Sequence, residues 1–446
     1  MNKLTFSMGG VHPDDNKIAR ECPIEVLPLP DTVYVSMAQH LGAPAKPVVA
    51  VGDSVKAGQV IAEPAGFISA FVHSPVSGTV KSIAPRKDLA GNPQIHVEIK
   101  VEGDEWAEGI DLSKDLVTSI PDDRNAMLDR IKACGVVGLG GATFPTHVKL
   151  NPAPGKVAEC LIINGAECEP YLTADHRLML EKPAEIIDGV RLLMLAFDVK
   201  ETIIGVEDNK PDAIDALKEA AKGVDGVKIM ALPVMYPQGG EKQLIYATTR
   251  RVVPNGGLPL DVGCVVCNVG TIYAIDQAIR EGRPVVDRIT TVGGLVQNPR
   301  NYRVRVGTPY EVLIEACGGL RDGVKKLLSG GPMMGMAINR LDIPVTKGTS
   351  GILALGREGV CADESACIRC GRCMRACPMK LAPAKLDALV RANRLEAAEK
   401  MGVMNCLECG ACTFACPAKR QLTQSCRTGK RIITTRRKQA QSAQKK

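Results

Sequence analysis

The stretches "CIRCGRCMRACP" (367–378) and "CLECGACTFACP" (406–417) dominate the C-terminal part of the chain. Both read Cys-x2-Cys-x2-Cys-x3-Cys-Pro, and the second repeats the first 39 residues later, from Cys367 to Cys406. Each run offers enough thiolates for one [4Fe–4S] cluster. In two-cluster ferredoxins the fourth Cys of one run ligates the other cluster. The spacing therefore groups Cys367, Cys370 and Cys373 with Cys416, and Cys406, Cys409 and Cys412 with Cys377. Zinc sites show separated Cys-x2-Cys pairs instead. Disulfides need an oxidising compartment, and no apolar run behind Lys3 suggests export. Two one-electron centres imply that the chain moves electrons.

Working outward, "AKLDALVRANRLEAAEKMG" (384–402) reads as a helix packed against both clusters. The ferredoxin domain is thus expected to be helical, over 361–426. A basic tail follows at 427–446. It carries eight of the 56 Lys and Arg, leaving 48 against 49 acidic residues, so the body is near neutral. The tail reads as a solvated terminus, or as a contact for an anionic membrane surface at about 1 kcal/mol per cation. With aromatics at 3% and no basic motif, nucleic acid is not an expected partner. No run of 18 apolar residues occurs, so no membrane span is expected.

A length of 446 residues implies several domains, since one core does not grow that large. Residues 1–40 read as an extended arm. From Gly42 to Pro85, "VVAVGDSVKAGQVIAE" and "FVHSPVSGTVKSIA" read as short strands with Gly-Asp and Ser-Gly turns. This stretch resembles a lipoyl/biotinyl barrel-sandwich domain. No Lys lies between Lys56 and Lys81 to carry a swinging cofactor, so a docking or structural role is expected. The arm and barrel-sandwich are assigned to 1–120. Over 121–284, "CLIING" (160–165), "ETIIGV" (201–206) and "VKIMALPV" (227–234) alternate with helical stretches, which predicts a parallel α/β sheet. Residues 285–345 read as a small mixed domain with a strand "YRVRVG" and a helix "PYEVLIEAC". The Gly-rich 346–360 reads as a linker.

Four segments of the α/β region bear functional residue types. "GVVGLGGATFPTHVKL" (135–150) packs Gly138, Gly140 and Gly141 before Phe144 and Lys149. Such a turn lets backbone N–H groups approach a phosphate, or is a tight structural turn. "INGAECEPYLTADHR" (163–177) places Asn164, Glu167 and Glu169 after a strand, where ligands bind in open α/β sheets, or where surface charge sits. Glu241 opens a helix after two glycines, and Asn268 opens another after a strand.

Together these segments resemble the flavin-binding subunit of respiratory NADH dehydrogenases, in order: Gly138 to Lys149, Asn164 to Pro170, Gly239 to Glu241, and Asn268 to Thr271. With "GGVHP" (9–13), "QHLGAPAKP" (39–47) and the doubled cysteine run, the whole chain resembles the RnfC family, found in the membrane-bound ferredoxin:NAD oxidoreductases called Rnf complexes. The resemblance implies a multidomain α/β protein. It would hold a Rossmann-like FMN/NADH domain, a barrel-sandwich module, an SLBB-like β-grasp domain at 285–345 and a helical two-cluster ferredoxin domain. By position, Gly138, Gly140 and Gly141 would line FMN and the dinucleotide, and Phe144 would stack near the adenine. Lys149 would contact the flavin. Asn164, Glu167, Glu241 and Asn268 would hold FMN, and Glu169 would lie close to NADH. Thr143 stands where that family often has Gly, and Ala166 replaces an acid.

The implied cofactors are FMN, NAD(H) and two [4Fe–4S] clusters. The implied partners are ferredoxin-like and membrane flavoprotein subunits, at the cytoplasmic face of the membrane. In that setting hydride passes between nicotinamide C4 and flavin N5, and electrons then pass singly. The ferredoxin:NAD reaction would drive Na⁺ or H⁺ across the membrane. Two other readings fit the same motifs. One is a cobalamin reductase of diol-utilising microcompartments. The other is a non-catalytic iron–sulfur electron wire. The remaining cysteines, Cys426 among them, read as buried hydrophobes or inert thiols, and Met333, Met334 and Met336 as core filler.

Overall fold

The apolar run Cys160–Gly165 lies inside a four-stranded parallel sheet. The neighbours are Glu201–Glu207 on one side and Cys264–Asn268 on the other, with Val227–Leu232 outermost beyond Glu201–Glu207. Alternate side chains leave a strand on opposite faces. Leu161 and Ile163 enter one core, under the helices Arg124–Ala133, Ala174–Glu181, Pro183–Phe197, Pro211–Ala220 and Val269–Arg280. Cys160 and Ile162 enter another, under the helix Glu241–Thr249. Cys160–Gly165, Glu201–Glu207 and Cys264–Asn268 are buried almost throughout, which is why they read as continuous apolar runs, while the edge strand Val227–Leu232 is largely half-exposed. In chain order the strands lie third, second, first, fourth. The order therefore reverses between Cys160–Gly165 and Cys264–Asn268. This is the Rossmann-like arrangement, and ligands bind at such a reversal, beyond the carboxyl ends of the strands.

The computed structural model describes residues 5–113, 123–152, 155–360 and 362–444, with 441–444 as backbone only. The expected boundary at 120/121, Cys361, Lys445 and Lys446 lie outside the described residues.

The barrel-sandwich consists of two small sheets. One orders Thr32–Ser36, Pro93–Gly103, Ser77–Lys87 and Ser54–Val55; the other orders Lys46–Pro47, Val60–Glu63 and Val72–His73. Val33, Val35, Ile61, Val80, Val97 and Ile99 fill the space between them. The β-grasp part is a six-stranded mixed sheet ordered Ile24–Val26, Arg300–Arg305, Asp287–Gly294, Gly351–Leu355, Lys326–Ser329, Met336–Ile338. Tyr310, Leu313 and Ile314 of the helix Tyr310–Ala316 pack on it.

Four segments differ from their sequence reading. Residues 346–360 are not a linker: Gly351–Leu355 is an interior strand of the six-stranded sheet, buried at every position. The flanking glycines hid the short apolar run "ILAL". Residues 1–40 are more than an arm. Ile24–Val26 adds a parallel edge strand to the β-grasp sheet, and Thr32–Ser36 belongs to the barrel-sandwich. Of the basic tail, residues 427–444 continue the helix Leu422–Gln444, whose Cys426 and Ile433 are buried with Leu386, Leu395, Ala398 and Val403. The helix expected at 384–402 is two, Pro383–Arg391 and Leu395–Lys400, separated where Asn393 turns left-handed at φ 52°. No helix among the described residues is long and apolar enough to cross a membrane.

Candidate cofactor sites

Asn164 and Asn268 close the two strands at the reversal and stand in register as sheet neighbours. The Asn268 side chain caps the helix Val269–Arg280 by accepting from Gly270 N–H at 2.9 Å, and donates to Asp175 Oδ2 at 2.6 Å. Asn164 Nδ2 donates to the Gly239 carbonyl at 2.9 Å. The glycine loop lies over this end of the sheet. Leu139 N–H donates to Thr271 Oγ1 at 2.9 Å, and Gly138 N–H to the Phe144 carbonyl at 2.8 Å. A Cβ on Gly140 would stand 3.2 Å from Asn268 Cβ, so the loop backbone approaches the strand end closely. Gly141 takes φ 106°, which side chains rarely adopt, and open space lies beyond it.

Lys149 reaches the same end from the short helix Thr146–Lys149. Its ammonium meets Glu241 Oε1 at 3.0 Å and donates to the Val266 carbonyl at 2.7 Å. Burial opposes its charge, but Glu241 more than offsets that and the Lys149 pKa is raised. Gly138, Gly140, Gly141, Lys149, Asn164, Glu241 and Asn268 thus gather at one end of the sheet, with half-buried Phe144 at the end of the loop. Glycine N–H groups, a fixed cation and two carboxamides suit a phosphorylated ring with polar edges such as FMN.

The two acids of the Asn-x-x-Glu-x-Glu segment part company. Glu167, at φ 43°, accepts from the N–H groups of Asp175 and His176 at 2.7 and 3.1 Å, at the start of the helix Ala174–Glu181. Glu169 turns toward the β-grasp and cluster domains. It accepts from Met333 N–H at 3.1 Å and Met334 N–H at 2.9 Å, with Tyr236 Oη 3.4 Å away. Burial pushes its carboxyl up to about 7. A Cβ on Gly331 would overlap Glu169 Oε2, so only glycine fits there.

The eight cysteines surround two cavities. Cys367, Cys370, Cys373 and Cys416 line one of about 330 Å³, with Cys367 and Cys370 exposed. Cys377, Cys406, Cys409 and Cys412 line a tighter one. The thiols are spread around these spaces, and among the described residues no group of His, Cys, Asp or Glu closes on a single metal ion. Four thiols spaced around a cavity suit the corners of a cuboidal [4Fe–4S] cluster. Donors face the inner set: Leu381 N–H to Cys377 Sγ at 3.4 Å, Glu408 N–H to Cys406 Sγ at 3.3 Å, and Thr423 Oγ1 3.4 Å from Cys412 Sγ.

Comparison with known proteins follows the same division. Residues 4–105 match the RnfC barrel sandwich hybrid domain, 131–277 the Nuo51 FMN-binding domain, 289–337 the SLBB domain and 359–417 the 4Fe-4S dicluster domain. A relative from Clostridium ljungdahlii is 48% identical over 94% of this chain and 92% of its own length. It is the C subunit of the proton-translocating ferredoxin:NAD(+) oxidoreductase complex. The chain belongs to this RnfC family. The Na(+)-translocating counterpart from Acetobacterium woodii is 45% identical over 96% of this chain and 98% of its own. The C subunit of the ion-translocating oxidoreductase complex of Rhodobacter capsulatus is 42% identical over 90% and 78%. The fold is also similar to that of an NAD+-reducing [NiFe]-hydrogenase, at 18% identity and a TM-score of 0.51, over 70% of this chain and 65% of that one. This RnfC-family chain thus combines an FMN-binding-type domain with a dicluster domain.

Three residues of this RnfC-family chain escaped the sequence reading. Lys17 is buried and donates to the carbonyls of Glu167, Glu169 and Leu172 at 2.8, 3.1 and 2.6 Å, and burial lowers its pKa. Asp175 pairs with Asn268, and burial, then Glu167, push its carboxyl up to about 6. Tyr236 joins the flavin-type domain to the cluster domain, its hydroxyl donating to the Cys409 carbonyl. Neither Met334 nor Met336 is core filler: both are exposed, and the Met333 and Met334 amides hold Glu169. The "GGVHP" segment lies at a junction that its sequence did not announce: Gly10 N–H donates to the Ala376 carbonyl and Val11 pairs with Tyr236.

Proposed function

We propose that this chain passes electrons between NAD(H) and two [4Fe–4S] clusters through FMN, as a peripheral subunit of an ion-translocating ferredoxin:NAD oxidoreductase complex. The observation that carries the reading is the reversal of strand order at Asn164 and Asn268, built in the same chain as two four-cysteine cavities and joined to one of them through Tyr236. FMN supplies the exchange between two-electron hydride chemistry and one-electron steps. The protein supplies positions. The N–H groups of Gly140 and Gly141, on the loop that Gly138 turns, and the Lys149 ammonium hold the phosphate. Asn164, Glu167, Glu241 and Asn268 fix the flavin end, directly or by ordering the loops around it. Phe144 and Glu169 border the dinucleotide. Cys367, Cys370, Cys373 and Cys416 hold the outer cluster, and Cys377, Cys406, Cys409 and Cys412 the inner one.

The partners are the ferredoxin-like and membrane flavoprotein subunits of the complex, and the place is the cytoplasmic face of the membrane. The family, and the lack of a membrane-length helix among the described residues, support a peripheral position. The test is anaerobic expression with spectra before and after NADH. A flavin band bleached by NADH, with iron for two clusters, supports the reading; clusters without FMN and without bleaching sink it. Cys409→Ala should then remove about half the iron, and unchanged iron would refute the ligand sets.

A further inference from the structure

Cys426 lies outside both cysteine runs, on the helix Leu422–Gln444. It is buried, at 1% exposure. Its side chain borders the cavity walled by Cys377, Cys406, Cys409 and Cys412, and packs with Cys406 in one apolar cluster. The helix places it there by its period. Thr423, Cys426 and Lys430 stand at i, i+3 and i+7, on one helical face. Thr423 Oγ1 is 3.4 Å from Cys412 Sγ, and Lys430 Nζ donates to the Cys406 carbonyl at 2.8 Å. Lys430 and Arg427 also pair with Glu408, at 2.7 and 3.0 Å, fixing the loop between Cys406 and Cys409. One helix face therefore presents a thiol, a hydroxyl and an ammonium to a single cysteine loop.

Cys406 as a thiolate ligand is an acceptor only, while an un-ligated Cys426 keeps its S–H proton. Glu408 N–H already donates to Cys406 Sγ at 3.3 Å, so Cys426 would add a second donor to the same sulfur. Hydrogen bonds to cluster sulfurs withdraw negative charge and favour the reduced cluster, which is one way a protein sets the potential.

Resting on the ligand sets proposed above, we infer that Cys426 is a positioning residue of the inner cluster: its thiol donates to the Cys406 sulfur and holds that cluster's reduction potential up. The test is an EPR-monitored redox titration of the anaerobic full-length protein and its Cys426→Ala and Cys426→Ser variants, with iron counted in each. The signal lost in Cys409→Ala identifies the inner cluster. Cys426→Ala is expected to keep its iron and to shift the inner midpoint to more negative potential, leaving the outer one in place. Cys426→Ser, which keeps a donor, is expected to restore most of the shift. An unchanged midpoint in Cys426→Ala at full iron overturns the inference, as do equal shifts in both variants. If Cys426→Ala loses iron, Cys426→Ser decides. Wild-type iron and midpoint there uphold the donor role, and loss of iron there too overturns it. A wild-type protein without two cluster signals would refute the ligand sets themselves, a separate failure.

Discussion

The Tyr236 hydroxyl donates to the Cys409 carbonyl at 2.6 Å, across the boundary between the flavin-type domain and the cluster domain. Around it, Val11, Ala376 and Ala411 are buried, with Cys168, Met333 and Leu407 packed against them. A Cβ on Gly9 would stand 2.6 Å from the Cys377 backbone, so the N-terminal segment presses directly on the inner cysteine loop. Three regions distant in sequence therefore meet here and fix the Cys377 and Cys409 loops against Tyr236.

Tyr236→Phe keeps the ring and leaves the Cys409 carbonyl without this donor. An unpaired buried acceptor costs about 1–3 kcal/mol. The variant should unfold at correspondingly lower denaturant, and the amides of 406–412 should exchange faster than in the parent. Unchanged exchange in that loop would show that the bond contributes nothing to holding it.

Glu169 gives a pH dependence whose sign is fixed. Burial raises its carboxyl from 4.5 to about 7. Between those values the folded chain keeps a proton that the unfolded chain has lost. Stability therefore falls as pH rises through this window, by up to about 1.4 kcal/mol per pH unit. Glu169→Gln keeps an acceptor for one of the two amides, which bond to separate oxygens, and does not titrate. Denaturant curves from about pH 5 to pH 8 should fall less steeply for the variant. Parallel curves would remove Glu169 as the source.

Thr143 occupies φ 49°, in the left-handed region, on the loop that follows Gly141. A β-branched residue there is strained by about 1–2 kcal/mol. Its backbone is well held, with its N–H donating to the Gly138 carbonyl and its carbonyl accepting from Leu41 N–H, both at 3.1 Å. Thr143→Gly relieves the strain, and the added freedom of the unfolded chain offsets about half of it. The variant should gain about 0.5–1 kcal/mol in denaturant unfolding. A loss of stability would mean that the Thr143 side chain contributes more than its conformation costs.

Much of this architecture was legible because it repeats in local patterns. The apolar runs 160–165 and 201–206 became neighbouring parallel strands, since a strand covered on both faces must be apolar throughout, and the run at 227–232 became the edge strand beside them. Asn268 was legible as a helix start because its side chain caps the next turn. Long-range relations were not. Lys17 lies in a segment without periodicity, and its role depends on three carbonyls 150 or more residues away. Gly351–Leu355 looked like a linker because a five-residue strand between glycines has too few positions to show a period. The basic tail hid an amphipathic helix, because its many Lys and Arg outnumber the few apolar positions that it buries.

That helix yields the last prediction. Leu422, Cys426 and Ile433 are buried, while 434–440 is mostly exposed. Thr423, Cys426 and Lys430 face the inner cysteine loop, and Cys426 and Ile433 share a core with Leu386 and Leu395. A tail that is only a solvated terminus could be cut anywhere. Here the position of the cut should matter. Ending the chain after Lys438 removes none of these contacts, and iron content and melting temperature should stay at parent values. Ending it after Gln421 removes every one and exposes Leu386 and Leu395, each worth about 1.5–3 kcal/mol of burial. That protein should lose the inner cluster, about half its iron, with the signal assigned through Cys409→Ala. Retention of full iron in the shorter chain would mean that the cysteine loops need no support from the helix.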